Sequence, residues 1–207
     1  VGNAYLYSRS IKNNKKSYVI PSAVHNQKYF NNNNLKTVKN IKNQKNQKII
    51  IGWIGSIVTS HYLYKLKDTI IELKANFANL EFIAIGAPKK LNEIGIKTLS
   101  WSDEKEVSMI QNFDIGIMPL DGNNFEKGKC GFKLIQYMAC GLPVIGSPIG
   151  VNSNIIDHGK TGYLASSKND WTNYIIKLSS DFNLRKNLGY YGRKKVQEQY
   201  CLQAQLP

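Results

Sequence analysis

From residue 49 onward, short apolar runs alternate with segments whose apolar residues recur at helical spacing. Ile49-Ile50-Ile51-Gly52-Trp53-Ile54 is continuously apolar and stops at Gly55, the mark of a strand buried on both faces. Over residues 61–77, Tyr62, Leu66, Ile70 and Leu73 fall on one helical stripe. A second strand is predicted at 80–85, closed by Gly86, and a third, weaker one at 96–101. Ser102-Asp103-Glu104 then supplies an N-cap with acids in the first turn, and Val107 and Ile110 face one way. Residues 114–120 form a fourth strand, stopped by Pro119 and Gly122. Residues 131–140 read as a helix closed by Gly141, 144–146 as a fifth strand, and 162–165 as a short sixth. Trp171, Tyr174, Ile175 and Leu178 make one further helical stripe, and Leu184, Leu188 and Tyr191 another. Ahead of this block, Tyr18-Val19-Ile20 reads as a short strand before Pro21, and residues 31–48 are polar and rich in Asn and Lys.

Strands alternating with amphipathic helices specify an α/β fold. Right-handed crossovers build a parallel sheet with helices on both faces. Ligands of such sheets sit beyond the carboxyl ends of the strands, near a switch in strand order. The stretches to watch are therefore Gly55-Ser56, Trp101-Ser102, 121–133 and 147–152. The expected division is an opening segment at 1–30, a flexible polar linker at 31–48 and a compact unit from 49 to 207.

Composition narrows the partners. The chain has 207 residues, 42% of them hydrophobic, enough for one core of ordinary size. No run of about 18 apolar residues spans a bilayer. Lys and Arg number 28 against 14 acids, a formal charge of +14. Phosphates, nucleic acid and an anionic membrane are the partner classes such a charge raises. Only Arg9, Arg185 and Arg193 are arginines, whereas a base-reading surface would favour the planar guanidinium, so nucleic acid is not expected. Lysine clusters suffice for peripheral contact with an anionic membrane. Three cysteines without a Cys-x-x-Cys spacing, and three scattered histidines, point away from a disulfide framework or a zinc site and towards a reducing compartment.

Two stretches carry candidate chemistry. In the first, Gly52-Trp53-Ile54-Gly55-Ser56, a strand enters a glycine turn where backbone amides can approach a phosphate; the same residues also serve as a plain strand-to-helix connection. The second runs from Gly128 to Ile145. A Gly-rich entry opens a helix with Lys129 and Lys133 at its N-terminus, where cations oppose the helix dipole unless an anion lies there too. A bound diphosphate and simple solvent exposure both answer that opposition.

Gln136-Tyr137-Met138-Ala139-Cys140-Gly141-Leu142-Pro143-Val144-Ile145 resembles the "E-A-M-A-C-G-x-P-V-V" signature of retaining family 4 glycosyltransferases and their GT-B relatives. Ser147 to Asn152 and Ile155 to Leu164 resemble the family's "G-G-x-x-E-I-I-x-x-G-x-x-G-x-L", and Asp114 to Leu120 its "A-D-V-x-V-x-P-S". Ile20-Pro21-Ser22-Ala23-Val24-His25 resembles the "I-P-N-G-V-D" of the inter-domain hinge. The likeness implies a Rossmann-like, C-terminal half of a GT-B fold. Residues 1–30 would be the tail of the N-terminal domain and the hinge. The rest of that domain, and a last helix crossing back to it, would lie outside these 207 residues.

The resemblance implies a donor-sugar nucleotide held without a metal or other cofactor, and a glycan or lipid-linked acceptor. It implies a place in the cytoplasm, in reach of the inner face of the membrane, and work on cell-envelope polysaccharide. The family's paired glutamates fall on Gly128 and Gln136, with Glu126 two residues off register. The amide of Gln136 can still serve ribose hydroxyls, whereas Gly128 has nothing to replace a carboxylate. The Arg and Lys that neutralise the diphosphate fall on Ser56 and His61. Leaving-group stabilisation is accordingly expected from His61 and Lys133, and from the amides of Gly55, Ser56, Gly131 and Phe132. Trp101 follows the third strand, where its ring either stacks on the base or caps the core edge. Two readings result: a sugar-transferring enzyme, or a relative that keeps only nucleotide-sugar affinity.

Overall fold

The computed structural model describes residues 1–30 and 48–205. Apart from Lys48, the expected linker at 31–48 lies outside the described residues. Six strands, β1 (Ile49–Ile54), β2 (Leu80–Ile85), β3 (Ile96–Leu99), β4 (Ile115–Met118), β5 (Val144–Gly146) and β6 (Gly162–Leu164), form one sheet in the order β3-β2-β1-β4-β5-β6. Every pairing is parallel. Helices α1 (Ala4–Ser10) and α2 (Asn26–Phe30) precede the sheet, and α3 (Lys67–Asn76) links β1 to β2. Helix α4 (Glu106–Ile110) links β3 to β4, α5 (Asn124–Lys127) and α6 (Phe132–Ala139) link β4 to β5, and α7 (Asn152–Ile155) links β5 to β6. Helices α8 (Lys168–Ser180), α9 (Phe182–Gln199) and α10 (Leu202–Gln205) follow.

The two-residue period of β1 divides its side chains between two cores. Ile49, Ile51 and Trp53 join Leu63, Ile70 and Leu73, with Trp171, Ile175 and Leu178 of α8, on one face. Ile54 joins Leu134, Tyr137 and Met138 of α6 and Ile110 of α4 on the other. Both faces are covered, so the α/β expectation holds. Tyr29 of α2 and Val24 belong to the second core, which ties the opening segment to the sheet. Val24 N–H donates to Tyr200 O (2.9 Å), and Leu202 N–H donates to Val24 O (3.1 Å).

Three expected elements differ. The stripe at 61–77 is split: residues Ile57–Leu66 wind as a 3₁₀ segment, and only Lys67–Asn76 is α-helical. Tyr18-Val19-Ile20 forms no strand and is exposed; Ile20 N–H reaches only Val1 O (2.9 Å). The N-cap expected at Ser102-Asp103-Glu104 does not form: α4 starts later, at Glu106, with no side-chain cap, and the Asp103 carboxylate pairs with Lys28 Nζ at 2.8 Å.

Strands β1 and β4 pair only at Ile51–Ile115 and Gly52–Gly116. Beyond that point Ile54 N–H donates to the buried Tyr137 hydroxyl (2.9 Å). The side chain satisfies the amide that strand pairing leaves open, so the sheet parts without an unpaired donor. The strand order also reverses direction here, with β1 leading outward to β2 and β4 to β5.

Candidate functional site

A hollow of about 730 Å³ opens at this parting. The ends of β1, β2 and β4 and the start of α6 line it. Seven of the eight residues singled out from the sequence meet in it: Gly55, Ser56, Trp101, Gly131, Phe132, Lys133 and Gln136. His61 does not line it. Its imidazole is exposed, with Nδ1 2.7 Å from the Val58 carbonyl and its ring 4.0 Å from that of Tyr62. The 3₁₀ winding of 57–66 in place of an α-helical turn accompanies that displacement.

One wall is cationic. Lys133 forms no salt bridge among the described residues, and its Nζ stands 5.3 Å from the centre of the Trp53 ring. Burial, helped by repulsion from Lys129, pulls its pKa down from 10.5 to about 8. Lys129 lies over the rings of Phe125 (4.9 Å) and Tyr62 (5.1 Å), and burial lowers its pKa also. Two ammonium groups in a half-buried cleft, each costly to charge, make a site that gains by taking up an anion.

The backbone adds to this. Gly131 is the N-cap of α6 at φ 67°, a left-handed turn that glycine adopts without strain. The amides of Gly131, Phe132 and Lys133 donate to no group among the described residues. They are the orphan donors of a helix N-terminus, the positive end of its dipole. The Gly55 amide plays a different part from the one expected. It donates to Ile85 O (3.0 Å) and so extends the β1–β2 ladder, while the Ser56 amide turns to Thr59 Oγ1 (3.3 Å). What Gly55 provides is room: a Cβ there would lie 2.8 Å from Lys133 Cε and 2.4 Å from the Trp53 ring.

A hydrogen-bonded relay also borders the hollow. Gln136, 4% exposed, donates through Nε2 to the Tyr29 hydroxyl (2.8 Å). Tyr29 in turn donates to Glu106 Oε1 (2.9 Å), and Trp101 Nε1–H donates to Glu106 Oε2 (3.0 Å). Lys28 Nζ lies 3.3 Å from Glu106 Oε1. Burial beside a carboxylate pushes the Tyr29 phenol well above its ordinary range, so it stays a donor. Trp101, 51% exposed, is pinned through the edge of its ring and lines the hollow. Neither Glu106 nor Tyr29 stands out in the sequence as a site residue. Glu106 opens a short helix, and Tyr29 meets Gln136 across 107 residues, so no local pattern joins them.

Glu126 does not line the hollow. It is 1% exposed and caps α5, accepting from Asn123 N–H (2.6 Å) and the Tyr62 hydroxyl (2.5 Å). Of the stretch 147–152, Ser147 and Asn152 are buried in local bonds: Ser147 Oγ accepts from Leu120 N–H (3.0 Å), and Asn152 Nδ2 donates to Ser147 O (3.0 Å).

A doubly covered parallel sheet with a cationic hollow at its switch point defines the Rossmann-like type of α/β domain. The family model for glycosyl transferases group 1 matches residues 8–195, and the chain belongs to that family. It is 38% identical over 77 residues to the N-acetyl-alpha-D-glucosaminyl L-malate synthase of Bacillus anthracis, a match covering 36% of this chain and 20% of that protein. It is 23% identical over 168 residues to the capsular polysaccharide biosynthesis glycosyltransferase CapM of Staphylococcus aureus, covering 74% and 43%. The chain thus spans less than half the length of these relatives. Among solved structures its fold resembles WaaG, a glycosyltransferase involved in lipopolysaccharide biosynthesis (TM-score 0.74, 13% identity, 96% of this chain and 58% of that one). It also resembles Anabaena HepE in complex with UDP and glucose (TM-score 0.66, 13% identity, 90% and 54%). The expected GT-B half is therefore the observed fold.

Proposed function

We propose that the hollow holds the diphosphate and nucleoside of a donor sugar, and that the protein transfers that sugar to a glycan or lipid-linked acceptor with retention and without a metal. The observation that carries this is convergence: two lysines that form no salt bridge and three amides at the start of α6 that donate to no group, among the described residues, share one hollow with a hydrogen-bonded glutamine and an exposed indole. When the anomeric C–O bond breaks, its electron pair moves onto the diphosphate oxygen. Lys129, Lys133 and the α6 amides are set to stabilise that charge, the work a metal performs elsewhere. The Oε1 of Gln136 accepts from no group among the described residues and suits a ribose hydroxyl; the Trp101 face suits the base.

WaaG and CapM are named for lipopolysaccharide and capsular polysaccharide biosynthesis, which favours an envelope glycan as product. A cytoplasmic place at the inner face of the membrane accords with the charge of +14. No helix among the described residues is long and apolar enough to cross a membrane. Calorimetric titration with UDP and GDP tests the donor site. Absence of heat and of competition from either nucleotide at millimolar concentration would end the reading.

One observation favours a second reading, a nucleotide-sugar-binding module without turnover. The family carboxylate position holds Gly128, and nearby Glu126 is sealed behind Tyr62 and Asn123. Assay of donor hydrolysis by the full-length protein separates the two.

A further inference from the structure

The turn that delivers Lys129 and the α6 amides to the hollow is held from outside by the start of the chain. Asn3 is polar yet only 2% exposed. Its Oδ1 accepts from Leu6 N–H (2.8 Å) and caps α1. Its Nδ2 donates to Gly128 O (3.0 Å) and Lys129 O (3.1 Å), with Lys127 O at 3.4 Å. Beside it Gly2 packs so tightly on Cys130 that a Cβ there would lie 2.2 Å from Sγ. The turn's own amides are occupied internally, Gly128 N–H by Phe125 O (3.2 Å) and Lys129 N–H by Glu126 O (3.0 Å). The successive carbonyls are what Asn3 gathers.

That arrangement has an electrostatic consequence. Carbonyl oxygens are the negative ends of the peptide dipoles, and an anion site gains when they point elsewhere. With these carbonyls bound to Asn3, the amides of Gly131, Phe132 and Lys133, residues that line the hollow and donate to no group among the described residues, keep the positive end of α6 uncompensated.

We propose that Asn3 is a positioning residue of the donor site, a clamp that holds the turn at 127–130 so that Lys129 and the α6 N-terminus present positive charge to the diphosphate. This rests on the donor-binding reading above. Asn3 lies ahead of the hinge-like segment, so the clamp makes donor affinity depend on a residue far from the hollow in sequence.

Two variants test it. Asn3→Asp keeps the oxygen that caps α1 but removes the donor and sets a carboxylate against the carbonyls; Asn3→Ala removes both. UDP affinity is measured by calorimetry well below the melting temperature of each variant, as a function of pH. Cys130 alkylation by iodoacetamide is followed by mass spectrometry. Asn3→Asp is expected to bind UDP at least about tenfold more weakly, the scale of one lost charge-assisted contact. Cys130 is expected to alkylate faster while Cys140 and Cys201 do not change. The upper pH limit of UDP binding is expected to move up, because Lys129 is no longer held near Lys133. Unchanged affinity, pH limit and alkylation, with only a lower melting temperature, would overturn the clamp and leave the donor site standing. A wild-type protein that binds neither UDP nor GDP would remove the donor reading and the role of Asn3 with it.

Discussion

Replacing Lys133 by methionine should make the protein more stable and a poorer binder of diphosphates. The side chain is half-buried, has no salt bridge among the described residues, and titrates at about 8 against an ordinary 10.5. Between those values the unfolded chain holds a proton that the native state has released, so stability rises with pH across the interval. Below pH 8 both states are charged, and the fold bears the full cost of burying the ammonium. A shift of that size corresponds to about 3 kcal/mol, an upper bound because the group keeps some solvent contact. Methionine fills similar volume without charge, so Lys133→Met is expected to gain about 1–3 kcal/mol at pH 7 and to lose the rise between pH 8 and 10.5. Urea denaturation at pH 7, 8.5 and 10 reads both effects. The same substitution should weaken UDP binding by about 1–3 kcal/mol, since a charge-assisted contact is lost. In the wild type, UDP should draw a fraction of a proton onto Lys133 near pH 8, seen as a dependence of binding heat on buffer ionisation enthalpy. A variant no more stable at pH 7, with unaltered UDP affinity, would show that the Lys133 ammonium neither strains the fold nor meets the diphosphate.

Trp101→Ala should weaken UDP by about 1–3 kcal/mol, the usual worth of base stacking, while leaving inorganic pyrophosphate affinity unchanged; parallel calorimetry of the two ligands checks it. Tyr29→Phe leaves the Gln136 amide and the Glu106 carboxylate each short of a partner and should cost about 1–3 kcal/mol in urea denaturation, with weaker UDP binding. His61→Ala should change UDP affinity less than about twofold, because its ring is outside the hollow and bonded to Val58 O, and surface changes are small. Gly131→Ala should destabilise by about 1–3 kcal/mol, since φ is 67° and the added Cβ would lie 2.2 Å from Ile155 Cδ1; thermal melting reads this.

The sheet was legible because its strands are buried on both faces. A continuous apolar run such as 49–54, closed by a glycine, is too short for an ordinary helix and too apolar for a surface loop. The hollow was legible for a related reason: in a parallel sheet, function gathers at strand ends, and Gly55, Trp101 and Gly131 each follow a strand or open a helix. What stayed hidden depends on contacts between distant residues. Tyr29 and Glu106 meet across 77 positions, and Asn3 reaches Gly128 across 125, and local pattern holds no record of such pairing. The Gly55 amide misled because a turn glycine looks the same whether its N–H faces a ligand or closes a ladder. His61 misled because 3₁₀ winding rotates side chains differently from the α-helix its stripe suggested.

The bonds between Val24 and the Tyr200–Leu202 segment give the domain the topology of a buckled belt. Helix α2, and with it the Tyr29 hydroxyl, follows directly after Val24. Shortening the protein just past α9 would therefore undo the buckle and loosen the wall of a cavity that none of the described residues past α9 lines.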